Sequence, residues 1–176
     1  MVVFTIGHST HAISDFIALL RQAAVERVVD VRSIPRSRTN PQFNTEVLSD
    51  SLAAAGIGYV HAKALGGRRH RRKDAPPSRN ELWQNAAFRN YADYAQTDAF
   101  RAGLNELKEL ASRERCAIMC AEALWWRCHR RIISDYLLAD GIAVAHIMGA
   151  GKTDPATLTP GAHRLPDGTL VYQSQA

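Results

Sequence analysis

The sequence predicts a single α/β domain with a Rossmann-like, three-layer architecture, in which helices cover both faces of a mostly parallel, five-stranded sheet. Short apolar runs alternate along the chain with stretches whose apolar residues recur at helical spacing. This alternation is typical of parallel strands joined by crossover helices. The length of 176 residues fits one domain over residues 1–176, because domains commonly contain about 100–200 residues.

Five apolar runs predict the strands of the sheet. They cover residues 2–6, 28–31, 57–60, 116–120 and 142–147. Valine, isoleucine and other apolar side chains fill these runs, as expected of strands that are buried on both faces. In the tail, Pro166-Asp167-Gly168 predicts a turn between two short segments within residues 161–172.

Helical periodicity predicts the helices between and after these strands. Ser14 is placed to cap the first helix, whose apolar positions extend from Phe16 to Ala24. The other helices cover residues 45–55, 86–95, 98–112 and 127–140. Gly56 and Gly141 are placed to end two of them, because glycine readily adopts the left-handed conformation that follows a helix.

The composition is that of a soluble protein that can accept an anionic partner. The formal net charge is +5, which suits a phosphate-bearing partner. No apolar run approaches the roughly 18 residues of a membrane span, and the N-terminus lacks the features of a signal peptide. The cysteines Cys116, Cys120 and Cys128 lie in one short stretch, which favours reduced thiols in a cytoplasmic protein over a secreted disulfide framework.

Titratable and hydrogen-bonding side chains lie at the end of every predicted strand or just after it. These residues are His8, Ser9, Thr10, Asp30, Arg32, Arg36, Arg38, His61, Lys63, Cys120, Glu122 and His146. Ligands of open parallel α/β sheets bind beyond the carboxyl ends of the strands. Five such strand ends together predict one polar site at that edge of the sheet.

The segment from Cys120 to Arg130 is the sharpest local pattern, since it joins a buried strand to the start of a helix. A helix N-terminus favours negative charge, and Arg127 and Arg130 can hold a phosphate or carboxylate bidentately. The same positive surroundings would lower the pKa of a neighbouring thiol. Glu122 can serve as a general acid or base.

Four interpretations of this segment remain open. A cysteine phosphatase loop would have a shorter spacing than the one between Cys120 and Arg127, and glycines in place of bulky residues. A zinc site would use Cys116, Cys120, Cys128 and His129, but their spacing is not of the paired type. The favoured interpretation is a metal-free anion-binding active site. The fourth has the cysteines as small buried residues and Glu122 paired with Arg130.

Several ordered motifs together resemble a known family. The motifs are TIGHST (5–10), DVRSIPRS (30–37), LGG (65–67), YADY (91–94), MCAE (119–122), CHR (128–130), HI (146–147) and DGTLVY (167–172). In this order they resemble the domain of unknown function 488 family of bacterial and archaeal proteins, over nearly the whole chain. The family often has a proline between Glu122 and Cys128, where this chain has Leu124-Trp125-Trp126.

The resemblance implies an intracellular α/β protein with a polar pocket. It groups as one constellation the residues His8, Ser9, Asp30, Arg32, Arg36, Cys120, Glu122, Cys128, His129 and Arg130. Within this group we expect Asp30 to orient an arginine of the pocket, because a charge at a buried strand end must be paired. One of the two adjacent tryptophans is expected to line the pocket as a stacking wall.

The functional expectation is an enzyme that acts on a phosphate-bearing substrate, either a nucleic acid or a nucleotide, without a cofactor or a metal. The expected anion-binding residues are Ser9, Asp30, Arg32, Arg36, Cys128 and Arg130. The expected catalytic residues are Glu122, His8, His129 and Cys120. Glu122, with His8 or His129, would transfer protons, and Cys120 is the candidate nucleophile.

The alternative is a non-catalytic nucleic-acid-binding module. The least regular part of the chain, residues 61–85, contains the basic run 68–73, and a loop of this length inside a domain is usually functional or mobile. Its arginines are Arg68, Arg69, Arg71 and Arg72. They would contact a phosphate backbone, and such binding would weaken steeply with salt.

Overall fold

A six-stranded sheet forms the centre of the computed structural model, which describes residues 1–174. Its strands are β1 (Val2–Gly7), β2 (Arg27–Asp30), β3 (Gly58–His61), β4 (Cys116–Cys120), β5 (Ala143–Gly149) and β6 (Lys152–Pro155), in the order β3-β2-β4-β1-β5-β6. The first five pair in parallel, and β6 pairs antiparallel with β5. The Rossmann-like three-layer α/β class is confirmed, and residues 175–176 of the predicted domain lie outside the described residues.

The count of five strands was wrong because β6 gives no apolar signal. Its residues, Lys152-Thr153-Asp154-Pro155, are polar or proline and mostly exposed. Pairing with β5 after a tight turn at Gly151, whose φ is 67°, forms this strand. Polar residues and proline are common on the edge strand of a sheet.

Five α-helices cover the sheet on both faces. They are α1 (Ile13–Gln22), α2 (Thr45–Ala54), α3 (Ala86–Tyr94), α4 (Asp98–Arg113) and α5 (Arg130–Ala139). Ser14 does not cap α1, because the helix begins one residue earlier and Ala12 is at its N-cap. The predicted start of the last helix at residue 127 was also wrong, since Trp125–Arg127 forms a 3-10 turn before α5. None of the helices in residues 1–174 is long and apolar enough to cross a membrane.

The alternation of side chains along β4 shows how the two apolar layers are built. Cys116, Ile118 and Cys120 pack in the layer that contains residues of α3, α4 and α5, whereas Ala117 and Met119 pack in the layer with residues of α1 and α2. All five residues of β4 are buried. The strand therefore delivers the Cys120 side chain to the face of the sheet that α5 covers.

The tail closes the face that α3, α4 and α5 cover. Strands β7 (Ala162–Arg164) and β8 (Leu170–Tyr172) form the antiparallel hairpin that the turn signal predicted. Tyr172 is buried, and its hydroxyl donates a hydrogen bond of 2.8 Å to Asp135 of α5. The hairpin therefore fixes α5, whose N-terminus lies at the candidate site.

Candidate functional site

The candidate site is a pocket of about 320 Å³ beyond the carboxyl ends of β2 and β4. The segments after these two strands form two of its sides, and Gly67, Arg68 and residues of α3 complete it. Because β2 and β4 are neighbours in the sheet, residues that are far apart in sequence meet there. This is the location that open parallel α/β sheets use for ligands.

Half of the residues predicted for the site line this pocket. They are Arg32, Arg36, Arg68, Cys120, Glu122, Cys128 and His129. The others lie behind the pocket or away from it: His8, Ser9, Asp30, Arg69, Arg71, Arg72 and Arg130. The pocket thus lies at the strand ends where the sequence predicted a polar site, and the structure separates residues that line it from residues behind it or away from it.

A pair of cysteines lies at the base of the pocket. The Sγ atoms of Cys120 and Cys128 are 3.4 Å apart, and the Nε of Arg130 donates to both, at 3.1 and 3.2 Å. The hydrogen bond from Cys120, followed by the Arg130 charge, lowers the pKa of Cys128 to about 6 although burial opposes this shift. The same hydrogen bond and burial raise the pKa of Cys120. The opposite directions of these two pKa shifts favour Cys128 as the thiolate of the pair and Cys120 as the thiol that donates to it.

Arg130 lies beneath the pocket instead of lining it. Its side chain is 1% exposed, Nη1 donates to Thr5 Oγ1 at 3.0 Å, and Nη2 donates to the carbonyl of Glu122 at 2.5 Å. With Nε on the two sulfurs, every nitrogen of the guanidinium has a protein partner. The anion that Arg130 contacts is thus the Cys128 thiolate, and no ion pair joins Arg130 to Glu122 in residues 1–174.

Thr5 connects Arg130 to His146, and Trp125 packs on the His146 ring. Thr5 Oγ1 lies 2.7 Å from His146 Nδ1, and Trp125 stacks on the His146 ring at 4.3 Å and 5°. Burial, followed by the Arg130 charge, lowers the pKa of His146 to about 4, so the ring is neutral at pH 7. Neither tryptophan lines the pocket: Trp125 covers His146, and Trp126 is exposed.

Arg32 is held rigidly at the end of β2. Its Nη2 lies 2.7 Å from Asp30 Oδ2 and 2.8 Å from the carbonyl of Phe43, and its Nε donates to Asp30 Oδ1. Nη1 lies 3.3 Å from His8 Nε2. Of the five N–H groups of a guanidinium, one on Nη1 is left to face the pocket. Asp30 thus orients Arg32, as we expected.

His8 and Tyr59 complete the support of this ion pair. The Nδ1 of His8 donates to the carbonyl of Ser9 at 2.8 Å, which leaves Nε2 as the acceptor for Arg32. Burial lowers the pKa of His8 to about 4, so the ring is neutral and its proton stays on Nδ1. Tyr59 donates to Asp30 at 2.6 Å. His8 is therefore a positioning residue for Arg32 in this structure.

His129 is a neutral imidazole in the wall of the pocket. Its Nε2 donates to the carbonyl of Val31 at 2.6 Å, and burial lowers its pKa to about 4. The lone pair is thus on Nδ1. Gly67 packs so closely that a Cβ atom there would lie 2.5 Å from Nδ1, which explains why this position needs a glycine.

The mouth of the pocket carries arginines that are available to a ligand. Arg36 pairs with Glu46 at 3.0 Å, but both side chains are about two-thirds exposed, and such surface pairs contribute little. The exposed side chains of Arg68 and Arg127 make no ion pair within residues 1–174. Glu122 is the acidic residue of the lining, and its carboxylate accepts the backbone N–H of Leu124 at 3.1 Å.

The basic run 68–73 is largely bonded within its own loop. Arg69 lies over the Tyr94 ring at 3.6 Å and donates to the carbonyl of Gly66. Arg71 donates to the carbonyl of Pro76 at 2.7 Å. Arg72 lies 3.3 Å from Asp74. Of the four predicted nucleic-acid contacts, Arg68 is the one that reaches the pocket.

Thr5 and Gly67 belong to the site, and sequence reasoning did not select them. Thr5 is a fully buried polar residue inside an apolar strand, and that contrast was the available signal. Gly67 gave no signal of its own beyond a glycine pair. Within the described residues, no three His, Cys, Asp or Glu side chains meet in a group that could hold a metal ion.

Fold and site together define an α/β protein with a cysteine pair and arginines in a pocket at the carboxyl edge of its sheet. Comparison with protein families gives the more particular identity. The family described as Domain of unknown function DUF488 matches residues 12–137, and the chain belongs to this family. The matched region excludes three of the motifs that carried the resemblance, namely the first at 5–10 and the last two at 146–147 and 167–172. No curated protein and no solved structure matches the chain.

Proposed function

We propose that this protein is an enzyme that acts on a small phosphate-bearing substrate of the nucleotide type, with Cys128 as its nucleophile. The observation that carries the proposal is the position of Cys128, which lines a pocket together with four arginines and has its sulfur 3.2 Å from the Nε of Arg130. A thiolate, and not a thiol, is the nucleophilic form of cysteine. The reduced pair of Cys120 and Cys128 suits a reducing compartment such as the bacterial cytoplasm.

The arginines supply the phosphate contacts. Arg32 offers one N–H from a fixed position, because Asp30 and His8 hold the rest of its guanidinium. Arg68 and Arg127 offer whole guanidinium groups at the mouth, where the planar fork of donors matches two phosphate oxygens. A rigid donor inside the pocket and exposed donors at its mouth would bind the charged end of a substrate.

The apolar and aromatic part of the lining suits the uncharged part of a nucleotide. Ile34, Phe88 and Tyr91 line the pocket, and Phe88 stacks on Trp83 at 4.9 Å. Aromatic faces bind bases irrespective of their identity. The volume of about 320 Å³ lies at the lower end of the range of small-molecule sites, which favours one nucleotide over a polymer.

The chemistry that follows is nucleophilic transfer or hydrolysis through a covalent intermediate on Cys128. The thiolate attacks the electrophilic centre next to the phosphate, a bond from sulfur to that centre forms, and the bond from that centre to the leaving group breaks. Arg130 holds the sulfur in place. Glu122 is at the pocket wall, where a carboxyl group can give a proton to the leaving group or accept one from water. His129, neutral with a lone pair on Nδ1, is a second acceptor beside the nucleophile.

Binding of nucleic acid is the second candidate function, and the observation that favours it is the position of Arg68. This residue lines the pocket and begins the exposed basic run 68–73, so a strand could continue from the pocket along the loop. The internal bonds of Arg69, Arg71 and Arg72 favour the small substrate. Affinity for nucleic acid would fall steeply with salt, whereas affinity for a single phosphate compound would fall little.

Titration calorimetry with nucleotides, sugar phosphates and short DNA, at low and moderate salt, tests the proposal. We expect one nucleotide-class compound to bind in both salts. Arg68→Ala and Arg127→Ala should each weaken binding about tenfold or more, because a hydrogen bond to a charged group contributes about 1.5–3 kcal/mol. Arg113→Ala is the matched control, since Arg113 is exposed at the end of α4 and outside the pocket.

Turnover of the bound compound is then compared in wild-type protein and Cys128→Ala. Wild-type affinity in both pocket variants, or binding of DNA alone that moderate salt removes, would contradict the proposed function. Binding that persists in Cys128→Ala with loss of turnover would support the nucleophile assignment.

A further inference from the structure

The cysteine pair has a geometry that the proposed function does not require. A nucleophile needs one thiolate, yet the sulfur of Cys120 lies 3.4 Å from that of Cys128, and Arg130 Nε contacts both. Cys120 comes from the last position of β4 and Cys128 from the loop before α5. Two different elements thus bring two sulfurs into contact at one pocket.

We infer that Cys120 and Cys128 form a redox-active dithiol that a hydroperoxide oxidises reversibly to an intramolecular disulfide. Cys128 is the attacking sulfur, and Cys120 is the resolving sulfur. Cys128 is half-buried and lines the pocket, so a small peroxide reaches it through the mouth, whereas Cys120 is 3% exposed. The lowered pKa of Cys128 supports this division of roles, because the thiolate is the reactive form.

The first step transfers one oxygen atom to Cys128. The thiolate attacks one oxygen of the hydroperoxide ROOH, a sulfur–oxygen bond forms, and the oxygen–oxygen bond breaks. The leaving alkoxide takes up the proton that Cys128 released when it ionised and departs as ROH. Cys128 is oxidised by two electrons to the sulfenic acid, and the peroxide is reduced by the same two electrons.

The second step closes the disulfide. The sulfur of Cys120 attacks the sulfur of Cys128, a sulfur–sulfur bond forms, and the sulfur–oxygen bond breaks. The hydroxide leaves with the Cys120 proton as water. In sum, two thiols and ROOH give a disulfide, ROH and H₂O, and a dithiol reductant reverses the state by thiol–disulfide exchange.

The third cysteine of the chain provides an internal control. Cys116 is four residues before Cys120 on β4, which is about 13 Å along a strand. It is fully buried at the far end of that strand and does not line the pocket. Burial raises its pKa to about 11, so it is a neutral thiol. Oxidation should leave Cys116 unchanged.

The inference rests on the sulfur geometry and not on the identity of a substrate. Where the proposed function also holds, oxidation removes the nucleophile and switches the enzyme off until a reductant restores it. The two proposals can fail separately. A disulfide that forms in a protein with no nucleotide binding would leave only the redox inference standing, and nucleotide turnover without a disulfide would leave only the proposed function.

In the test, the reduced 176-residue chain is treated with hydrogen peroxide, its remaining thiols are alkylated under denaturing conditions, and it is digested with trypsin. Cleavage after Arg127 separates Cys120 from Cys128, so a disulfide joins two peptides that mass spectrometry identifies. We expect the linked peptides, loss of two of the three thiols, and complete reversal by dithiothreitol. Cys116→Ala should give the same linked peptides.

Cys120→Ala should instead stop at the sulfenic acid of Cys128, which dimedone captures, and circular dichroism shows whether this variant is folded. Retention of all three thiols at peroxide concentrations that oxidise free cysteine would overturn the inference. So would linked peptides that disappear in Cys116→Ala, or a wild-type sulfenic acid that accumulates while Cys120 stays reduced.

Discussion

Two buried arginines stand at neighbouring strand ends, and they differ in what balances their charge. Arg32, at the end of β2, is 6% exposed and faces the carboxylate of Asp30, whereas Arg130, behind β4, is 1% exposed and faces two sulfurs. Asp30 does not line the pocket, whereas the charge of the Cys128 thiolate disappears when the sulfur is protonated, oxidised or bonded to a substrate.

This difference in counter-charge gives Arg32 a structural role and Arg130 a role in the proposed chemistry. Arg32 is fixed by Asp30, His8 and a backbone carbonyl, so it forms a rigid wall with one N–H for a ligand. Arg130 holds a sulfur whose charge can change. In the proposed function, the β2 side of the pocket therefore positions the substrate and the β4 side supplies the nucleophile.

The largest expected effect is a difference in stability between a variant that loses Arg32 and a variant that loses Arg130. Arg32→Met leaves the carboxylate of Asp30 buried and uncompensated, and we expect the free energy of unfolding to fall by about 3–5 kcal/mol. Arg130→Met allows Cys128 to take up a proton and become neutral, so we expect a smaller loss of about 1–3 kcal/mol from the unpaired hydrogen-bond acceptors. Denaturant unfolding at pH 7 measures both.

Arg36→Ala is the control for this comparison, because its pair with Glu46 is exposed and its loss should change stability by less than about 0.5 kcal/mol. An Arg130→Met variant that loses as much as Arg32→Met, or more, would contradict the view that its counter-charge is variable.

The free energy of unfolding should depend on pH in two separate ranges, and the ionisation of Cys128 defines the upper one. Cys128 has a pKa of about 6 in the folded chain against about 8.5 unfolded, so its contribution is complete above pH 8.5 and is lost as the pH falls through 6. The slope between these values is at most about 1.4 kcal/mol per pH unit for one proton. Denaturant unfolding from pH 6 to 8.5 should show this slope in the wild type and not in Cys128→Ala.

The buried histidines define the lower pH range in which the free energy of unfolding changes. The pKa values of His8, His129 and His146 are each lowered to about 4, chiefly by burial. Folding therefore favours their neutral forms, and stability that is present above about pH 6.5 is lost as the pH falls through 4. Cys128→Ala should keep this acid sensitivity unchanged. If the variant lost both slopes, the two pH ranges would not have separate origins.

A smaller loss of stability is expected from a substitution of Gly67, which packs against His129. Gly67→Ala places a Cβ atom 2.5 Å from His129 Nδ1, and we expect a loss of about 1–3 kcal/mol, as in other overpacked interiors. Gly149→Ala is the matched control, because a Cβ there meets no atom within 4 Å. Thermal unfolding of both variants checks the pair. Equal stability of the two would mean that His129 moves aside without cost.

Strands and helices were predictable where local pattern decides them. Strand β4 was predicted from end to end because all five of its residues are apolar and buried. Strand β6 was missed because a partner strand, and not its own polar sequence, forms it. The 3-10 turn at Trp125–Arg127 displaced the predicted start of α5, since the stacking of Trp125 on His146 is a tertiary contact.

The location of the pocket could be predicted from the sequence, but the burial and the charge of its residues could not. The strand-end rule brought Arg32, Cys120 and Glu122 to one edge, because parallel strands end together. It could not show that Arg130 is buried, which depends on how α5 packs. Nor could it show that Cys128 is the ionised sulfur, which depends on a contact of 3.4 Å between two elements.

The ionisation of Cys128 is the central claim, and its rate of alkylation by iodoacetamide as a function of pH tests it most directly. Mass spectrometry follows Cys128 on a tryptic peptide separate from the other cysteines. We expect a midpoint near pH 6 for Cys128 in the wild type, slow labelling of Cys116 and Cys120, and a clear upward shift of the midpoint in Arg130→Met. A wild-type midpoint at about 8.5, the value of a free thiol, or one that Arg130→Met leaves unchanged, would contradict it.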